Sequence, residues 1–300
     1  MGENLHELTT EMRNEASGRL DQMSSLEIVT LMNEEDKKVA HAVEKVLPEV
    51  ARAVNLIAGA LEKGGRLFYF GAGTSGRLGV LDAAECPPTY GTDPKLVQGV
   101  IAGGAAALLQ AIEGAEDSSR LGREDVGRYG VQAGDVVVGI SASGRTPYVS
   151  GALQEAKTQK AATISLTCNP ASKMSEIVDV AINVVVGPEV VTGSTRLKAG
   201  TATKMVLNML TTASMVHLGK VYRNLMVNVQ ATNEKLKERA RHIVKEVTGV
   251  SHAEAEQLLT AAGGDVSVAI VMQKTGLSAE KAADLLISVG GNVRSAIERS

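Results

Sequence analysis

Two short segments of the chain are built from residue types that hold an anion. Gly71-Ala72-Gly73-Thr74-Ser75-Gly76 follows an apolar run at 66–70, and Ser141-Ala142-Ser143-Gly144-Arg145-Thr146-Pro147 follows another at 135–140. Glycines let main chain approach a ligand, and N–H groups at a helix start favour negative charge. The hydroxyls of Thr74, Ser75, Ser141, Ser143 and Thr146 can then donate to phosphate oxygens. Neither segment carries a Walker lysine. Two other readings compete. Ser and Thr at these positions can simply cap helices. The first segment also satisfies G-x-G-x-x-G, a dinucleotide signature that is weak alone. About twenty residues on, however, Thr92-Asp93-Pro94 reads as a loop, not as an acidic residue ending a second strand. A dinucleotide site would also leave the second segment without a task.

Carboxylates can supply acid–base chemistry, and four are weighed. Glu85 ends the helix expected over 77–85, beside Cys86-Pro87-Pro88. Taken alone it reads as a solvated helix-end carboxylate, while Ala83, Ala84 and Pro87 around it predict partial burial and a raised pKa. Glu116 lies in Ile112-Glu113-Gly114-Ala115-Glu116-Asp117. Glu113, three positions earlier on an expected helix, shares its face, and Asp117 can cap the next turn, so the residues alone do not choose among these three. Lys198, in Arg196-Leu197-Lys198-Ala199-Gly200-Thr201, either reaches a sugar or phosphate oxygen or is a surface lysine before a helix. His217, on an apolar helical stretch, reads as a core or interface residue, and Met205, Met209 and Met215 as packing.

The elements that must position these groups alternate between helix and strand. Residues 5–62 read as helical, with Ser24 and Ser25 as cap candidates and Val39, Val43, Val46, Val50, Val54 and Ile57 at helical spacing. Strands are expected at 66–70, 135–140, 162–167 and 180–186. Helices follow the two loops, Pro87-Pro88 being barred from a helix interior. Strands apolar on both faces, alternating with helices, predict an α/β fold with a doubly wound, mostly parallel sheet. A long helical segment is expected over 197–229, interrupted near Gly219. The tail repeats itself: Leu258-Leu259 and Gly263-Gly264 recur as Leu285-Leu286 and Gly290-Gly291. Each copy reads as a short helix, a Gly-Gly cap and a second short helix, a small helical module. The expected division is an N-terminal helical segment over 1–62, a ligand-binding domain over 63–235 and a UBA-like helical module over 236–300.

Composition narrows the classes. With 31 basic and 34 acidic residues, two Phe and no Trp, the chain has neither a basic surface nor the stacking platforms of a nucleic-acid binder. Cys86 and Cys168 make no disulfide framework and no zinc spacing, which fits a reducing compartment. The first twenty residues lack the apolar core of a signal peptide, and no stretch has the length of a membrane span. A cytoplasmic protein with neither membrane nor nucleic-acid partners is expected.

The order strand, Gly-Ala-Gly-Thr-Ser-Gly, strand, Ser-x-Ser-Gly-x-Thr resembles the sugar isomerase (SIS) domain, a flavodoxin-like sandwich that binds phosphosugars. The resemblance puts Ser141, Ser143 and Thr146 on the phosphate, with Thr74 and Ser75 nearby. A fuller resemblance, to the N-acetylmuramic acid 6-phosphate etherase family, covers almost the whole chain. It is carried by Thr10-Glu11-Met12-Arg13-Asn14, residues 71–88 and 141–147, Thr192-Gly193-Ser194-Thr195-Arg196-Leu197-Lys198-Ala199-Gly200-Thr201, and Asn224-Leu225-Met226-Val227. It implies a lyase that splits the D-lactyl ether of its substrate to give N-acetylglucosamine 6-phosphate and D-lactate. No metal or other cofactor is implied. By the same resemblance Glu85 protonates the departing oxygen and later activates water, while Glu116 is the base at carbon 2. A homodimer is implied, with residues 10–14 and 200–229 as contact candidates. Two alternatives share the fold: a non-catalytic phosphosugar sensor, like the glucokinase regulatory protein, and an aldose–ketose phosphosugar isomerase.

Overall fold

The computed structural model describes residues 8–170, 172–229 and 233–300. These divide into two compact units, one of residues up to 84 with 95–211, the other of 85–94 with 212–300.

The first unit is built on five parallel strands in the order β2-β1-β3-β4-β5. They are β1 (Leu67–Gly71), β2 (Val97–Ile101), β3 (Val136–Ser141), β4 (Ala162–Thr167) and β5 (Val180–Asn183). Strands β1 and β3 are buried at every position, as a sheet covered on both faces requires. Leu67 pairs with Val97 on one side and Val136 on the other. The chain therefore reverses its strand order at β1 and β3, and in this topology ligands bind in the crevice beyond the carboxyl ends of those two strands. The expected doubly wound α/β fold is the one found.

Helices α1 (Ser25–Glu44) and α2 (Leu47–Glu62) precede the sheet. Ser24 and Glu27 close a capping box at the start of α1. Residues 8–23 hold turns and two short 3-10 segments where a helix was expected. Helix α3 (Gly73–Tyr90) includes Pro87 and Pro88, against expectation; both fall in its last turns, where few i→i−4 bonds are lost. Its Asp82 carboxylate accepts hydrogen bonds from Tyr69 Oη on β1 (2.9 Å), and from Asn208 Nδ2 (2.8 Å) and Thr211 Oγ1 (3.2 Å) on α6 (Lys198–His217). Burial raises the Asp82 pKa, and these bonds work against that rise.

Helices α4 (Ser119–Arg128) and α5 (Pro147–Thr158) cross with almost no side chain between them. A Cβ on Gly122 would lie 2.0 Å from the Tyr148 carbonyl oxygen, and one on Gly151 2.1 Å from that of Ser119. Gly122→Ala should therefore force the helices apart and cost about 1–3 kcal/mol, as overpacked cores do. Thermal denaturation would read this as a lowered Tm, and an unchanged Tm would count against the crossing.

The second unit is helical: α7 (Glu234–Thr248), α8 (His252–Ala261), α9 (Val266–Thr275), α10 (Ala279–Ser288) and α11 (Val293–Arg299). The sequence repeat is the pair α8–α9 and α10–α11, each turned at its Gly-Gly by two residues of positive φ and restarted by Asp265 or Asn292 as N-cap. Val244, Ala255, Val266, Ile270, Ala282 and Val293 are among the residues of their common core. The helix expected over 197–229 stops at His217, which is exposed and not a core residue, and Gly219 follows at φ +72°. No helix among the described residues is long and apolar enough to cross a membrane.

Candidate active site

The loop after β1 turns so tightly that its glycines are steric necessities. A Cβ on Gly71 would meet the Gly76 nitrogen at 2.6 Å, and one on Gly76 the Gly71 oxygen at 2.7 Å. The spacing that matched a dinucleotide signature therefore serves the strand-to-helix turn. Beyond β3, the hydroxyls meet one another. Ser141 Oγ lies 2.7 Å from Thr146 Oγ1 and 3.2 Å from Ser143 Oγ, and it accepts the Gly144 N–H at 3.0 Å. Thr146 occupies the N-cap position of α5, yet its side chain makes no capping hydrogen bond. The helix-capping reading thus fails at Thr146.

Both loops open into one cavity of about 240 Å³ at the β1/β3 switch. Thr74 and Ser75 line one side, and Ser141, Ser143 and Thr146 another. Thr195 and, from α6, Thr203 add two hydroxyls that sequence reasoning did not single out. Thr195 lies in the segment 192–201 that carries the family resemblance, whereas Thr203 carried no signal. Among the described residues, no lysine or arginine lines the cavity. An anion here meets hydroxyls and main-chain N–H groups at the start of α3.

The N-terminal segment forms part of the wall. Thr9 Oγ1 donates to Asn169 Oδ1 (2.7 Å), whose amide donates to Thr10 Oγ1 (3.2 Å) and the Ala142 carbonyl (2.9 Å). Asn14 Nδ2 donates to the Pro188 carbonyl at 3.2 Å. Thr10 is fully buried by these contacts, and Glu11, held between them, lines the cavity. Burial pushes the nearby Cys168 thiol up to about 12, so it is no nucleophile at neutral pH.

Of the candidate carboxylates, Glu116 lines the cavity. It sits in a turn, not on the expected helix, since Gly114 takes φ +72° and breaks the helical path. Its main-chain carbonyl accepts the Tyr148 N–H at 2.9 Å, which ties the turn to α5. Glu113 and Asp117 are exposed in the same turn and do not line this cavity. Glu85 is exposed on α3 and is not among the lining residues; the burial expected from Ala83, Ala84 and Pro87 is absent, Ala83 being buried while Ala84 and Glu85 face outward.

Lys198 requires a correction: it is neither a surface lysine nor a lining residue. It is 1% exposed, and its Nζ lies 2.5 Å from Glu35 Oε2 on α1. Its own N–H and that of Ala199 donate to the buried Glu189 carboxylate at 3.0 and 2.9 Å. Burial raises the Glu189 pKa, and these two N–H groups oppose the rise. Lys198 therefore anchors the first turn of α6, from which Ala199, Gly200 and Thr203 reach the cavity. The Glu35 carboxyl would rise through burial, but Lys198 and Lys38 outweigh that and hold it below its ordinary value.

A parallel sheet whose switch point carries two loops rich in glycine and hydroxyls fits the SIS class of phosphosugar-binding domains, and comparison agrees. Residues 123–213 match the SIS domain model, 49–157 that of the glucokinase regulatory protein N-terminal SIS domain, and 223–267 that of the C-terminal lid domain of glucokinase regulatory protein. A phosphoheptose isomerase from Neisseria gonorrhoeae superposes with a TM-score of 0.50 at 25% identity, covering 63% of this chain and 98% of that one. Proteins named N-acetylmuramic acid 6-phosphate etherase are far more similar. That of Serratia proteamaculans is 58% identical over 90% of this chain and 91% of its own, and that of Clostridium beijerinckii 56% identical over 90% and 88%. The chain belongs to the N-acetylmuramic acid 6-phosphate etherase family.

Proposed function

We propose that the protein cleaves the ether joining the lactyl group to carbon 3 of N-acetylmuramic acid 6-phosphate. The observation that carries this reading is the sharing of one cavity by the phosphate loops and Glu116, in a chain of this family. The C–H bond at carbon 2 is weakly acidic until the ring opens to its aldehyde. A base then takes that proton, the carbon 3–oxygen bond breaks, and the oxygen leaves as D-lactate with a proton from an acid. Water adds back at carbon 3 to give N-acetylglucosamine 6-phosphate. Two carboxylates suffice for these transfers.

Ser141, Ser143 and Thr146, with Thr74 and Ser75, hold the phosphate. Glu116 is the base at carbon 2, and Glu85 the acid at the departing oxygen and then the base on water; the assignment of Glu85 rests on the resemblance of residues 83–88 to the family. Lys198 acts by holding α6 in place, not by touching substrate. The reading includes a homodimer, which light scattering would refute by finding a 31.3 kDa monomer. It also places the protein in the cytoplasm, where Cys86 and Cys168 stay reduced, neither being in a disulfide.

The test is D-lactate release from N-acetylmuramic acid 6-phosphate without added metal or nucleotide. Release by the wild type, lost in Glu85→Ala and Glu116→Ala, supports lyase and pair together. A bound but unaltered substrate would instead make the protein a phosphosugar sensor. Ser141→Ala removes a hydroxyl central to the second loop and should weaken N-acetylglucosamine 6-phosphate binding tenfold to a hundredfold, roughly what a hydrogen bond to a charged group contributes. Titration calorimetry would check this, and unchanged affinity would remove Ser141 from the phosphate site.

A further inference from the structure

A second cavity of about 240 Å³ adjoins the phosphate cradle and shares Ala72, Gly73 and Glu116 with it. Its other polar side chains include Arg77 on α3, Gln110 and Glu113. Arg77 is the one cation lining either cavity among the described residues. The half-buried guanidinium is held in place: Nε donates to the Leu108 carbonyl at 3.1 Å and Nη2 to that of Gln110 at 3.3 Å. Arginine has five N–H donors in a rigid fork, so these two bonds fix its orientation and leave donors over.

We infer that Arg77 binds the carboxylate of the substrate's lactyl arm, and that the second cavity is the subsite for that arm. The inference rests on the etherase reading. The substrate carries two anions, a phosphate on carbon 6 and a carboxylate on the arm at carbon 3. The hydroxyl loops account for the first, and Arg145, the cation of the second loop, lines neither cavity. Carbons 2 and 3 must lie beside Glu116, which belongs to both cavities, so the arm continues into the one that Arg77 lines. There the guanidinium also offsets the repulsion that Glu113 and Glu116 exert on a third carboxylate. After cleavage, Arg77 holds the departing D-lactate.

The product N-acetylglucosamine 6-phosphate lacks the arm, and this makes the test selective. In the full-length protein, Arg77→Met should raise the KM for N-acetylmuramic acid 6-phosphate at least tenfold. The Kd for N-acetylglucosamine 6-phosphate should stay within about threefold of wild type. Arg77→Lys, which keeps the charge and loses the fork, should fall between, and serves alone if Arg77→Met does not fold. Equal losses for both sugars would reduce Arg77 to a tie for residues 108–110 and overturn the inference, as would an unchanged KM. Wild-type protein that releases no D-lactate would refute the lyase instead. In that case calorimetric Kd values for the same two sugars decide on arm recognition: a loss in Arg77→Met confined to the lactyl sugar upholds it, and any other pattern overturns it.

Discussion

Glu116→Gln is expected to lower kcat for D-lactate release by about a hundredfold to ten-thousandfold, the range over which a positioned acid or base contributes. The substitution keeps the size of the side chain and removes its capacity to take a proton. The fold should not change, because Glu116 is exposed and its structural tie, the bond from the Tyr148 N–H, uses the main-chain carbonyl. Binding of N-acetylglucosamine 6-phosphate should likewise survive, since the hydroxyl loops are untouched. Steady-state kinetics beside calorimetric binding separates the two effects. A variant that keeps more than a tenth of wild-type kcat would exclude Glu116 as the base at carbon 2.

Lys198→Met is expected to cost about 3–5 kcal/mol of stability, as loss of one partner from a buried ion pair does. The lower end is the better expectation, because Lys38 also contacts Glu35 at 2.5 Å. Denaturant unfolding would measure it. Pairing the change with Glu35→Met should recover part of the loss, since the buried Glu35 charge goes too, while Glu189 loses the Lys198 charge and keeps its two N–H donors. A lysine that merely held substrate would instead raise KM at constant Tm. The pH dependence has a definite sign. Glu35 binds its proton less tightly folded than unfolded, so its contribution is complete above the ordinary value of 4.5 and is lost as pH falls through the depressed one. In Lys198→Met this part of the acid sensitivity should shrink.

Much of this arrangement was legible in the sequence where local chemistry decides it. Strands β1, β3 and β4 announce themselves as apolar runs because both faces of the sheet are covered. The two loops stand out because hydroxyls and glycines directly follow those runs. Strand β2 went unread: it is an edge strand of five residues, interrupted by Gln98 and Gly99. Gly99 is needed there, since a Cβ would lie 2.5 Å from the Val80 Cα. What stayed hidden depends on partners remote in the chain. Glu11 reaches the cavity through Thr9 and Thr10, whose partners Cys168 and Asn169 are 159 or 160 positions away. Lys198 finds Glu35 across 163 positions, and no local pattern marks a lysine for burial.

The strand order carries a consequence for how the protein comes into being. Loops after β1 and β3 form the cradle, yet β1 leaves the ribosome well before its central neighbour β3 and waits for it with one edge unpaired. Such long-range parallel pairing is slow to nucleate, because chain entropy is lost before contacts reward it. A chain that lacks β3 lacks the second loop of the cradle, so ligand binding reports the joining of β1 and β3. Phosphosugar at a hundredfold excess over its Kd would hold that sheet together by about 2.7 kcal/mol, making the metabolite itself a guardian of the newly folded enzyme.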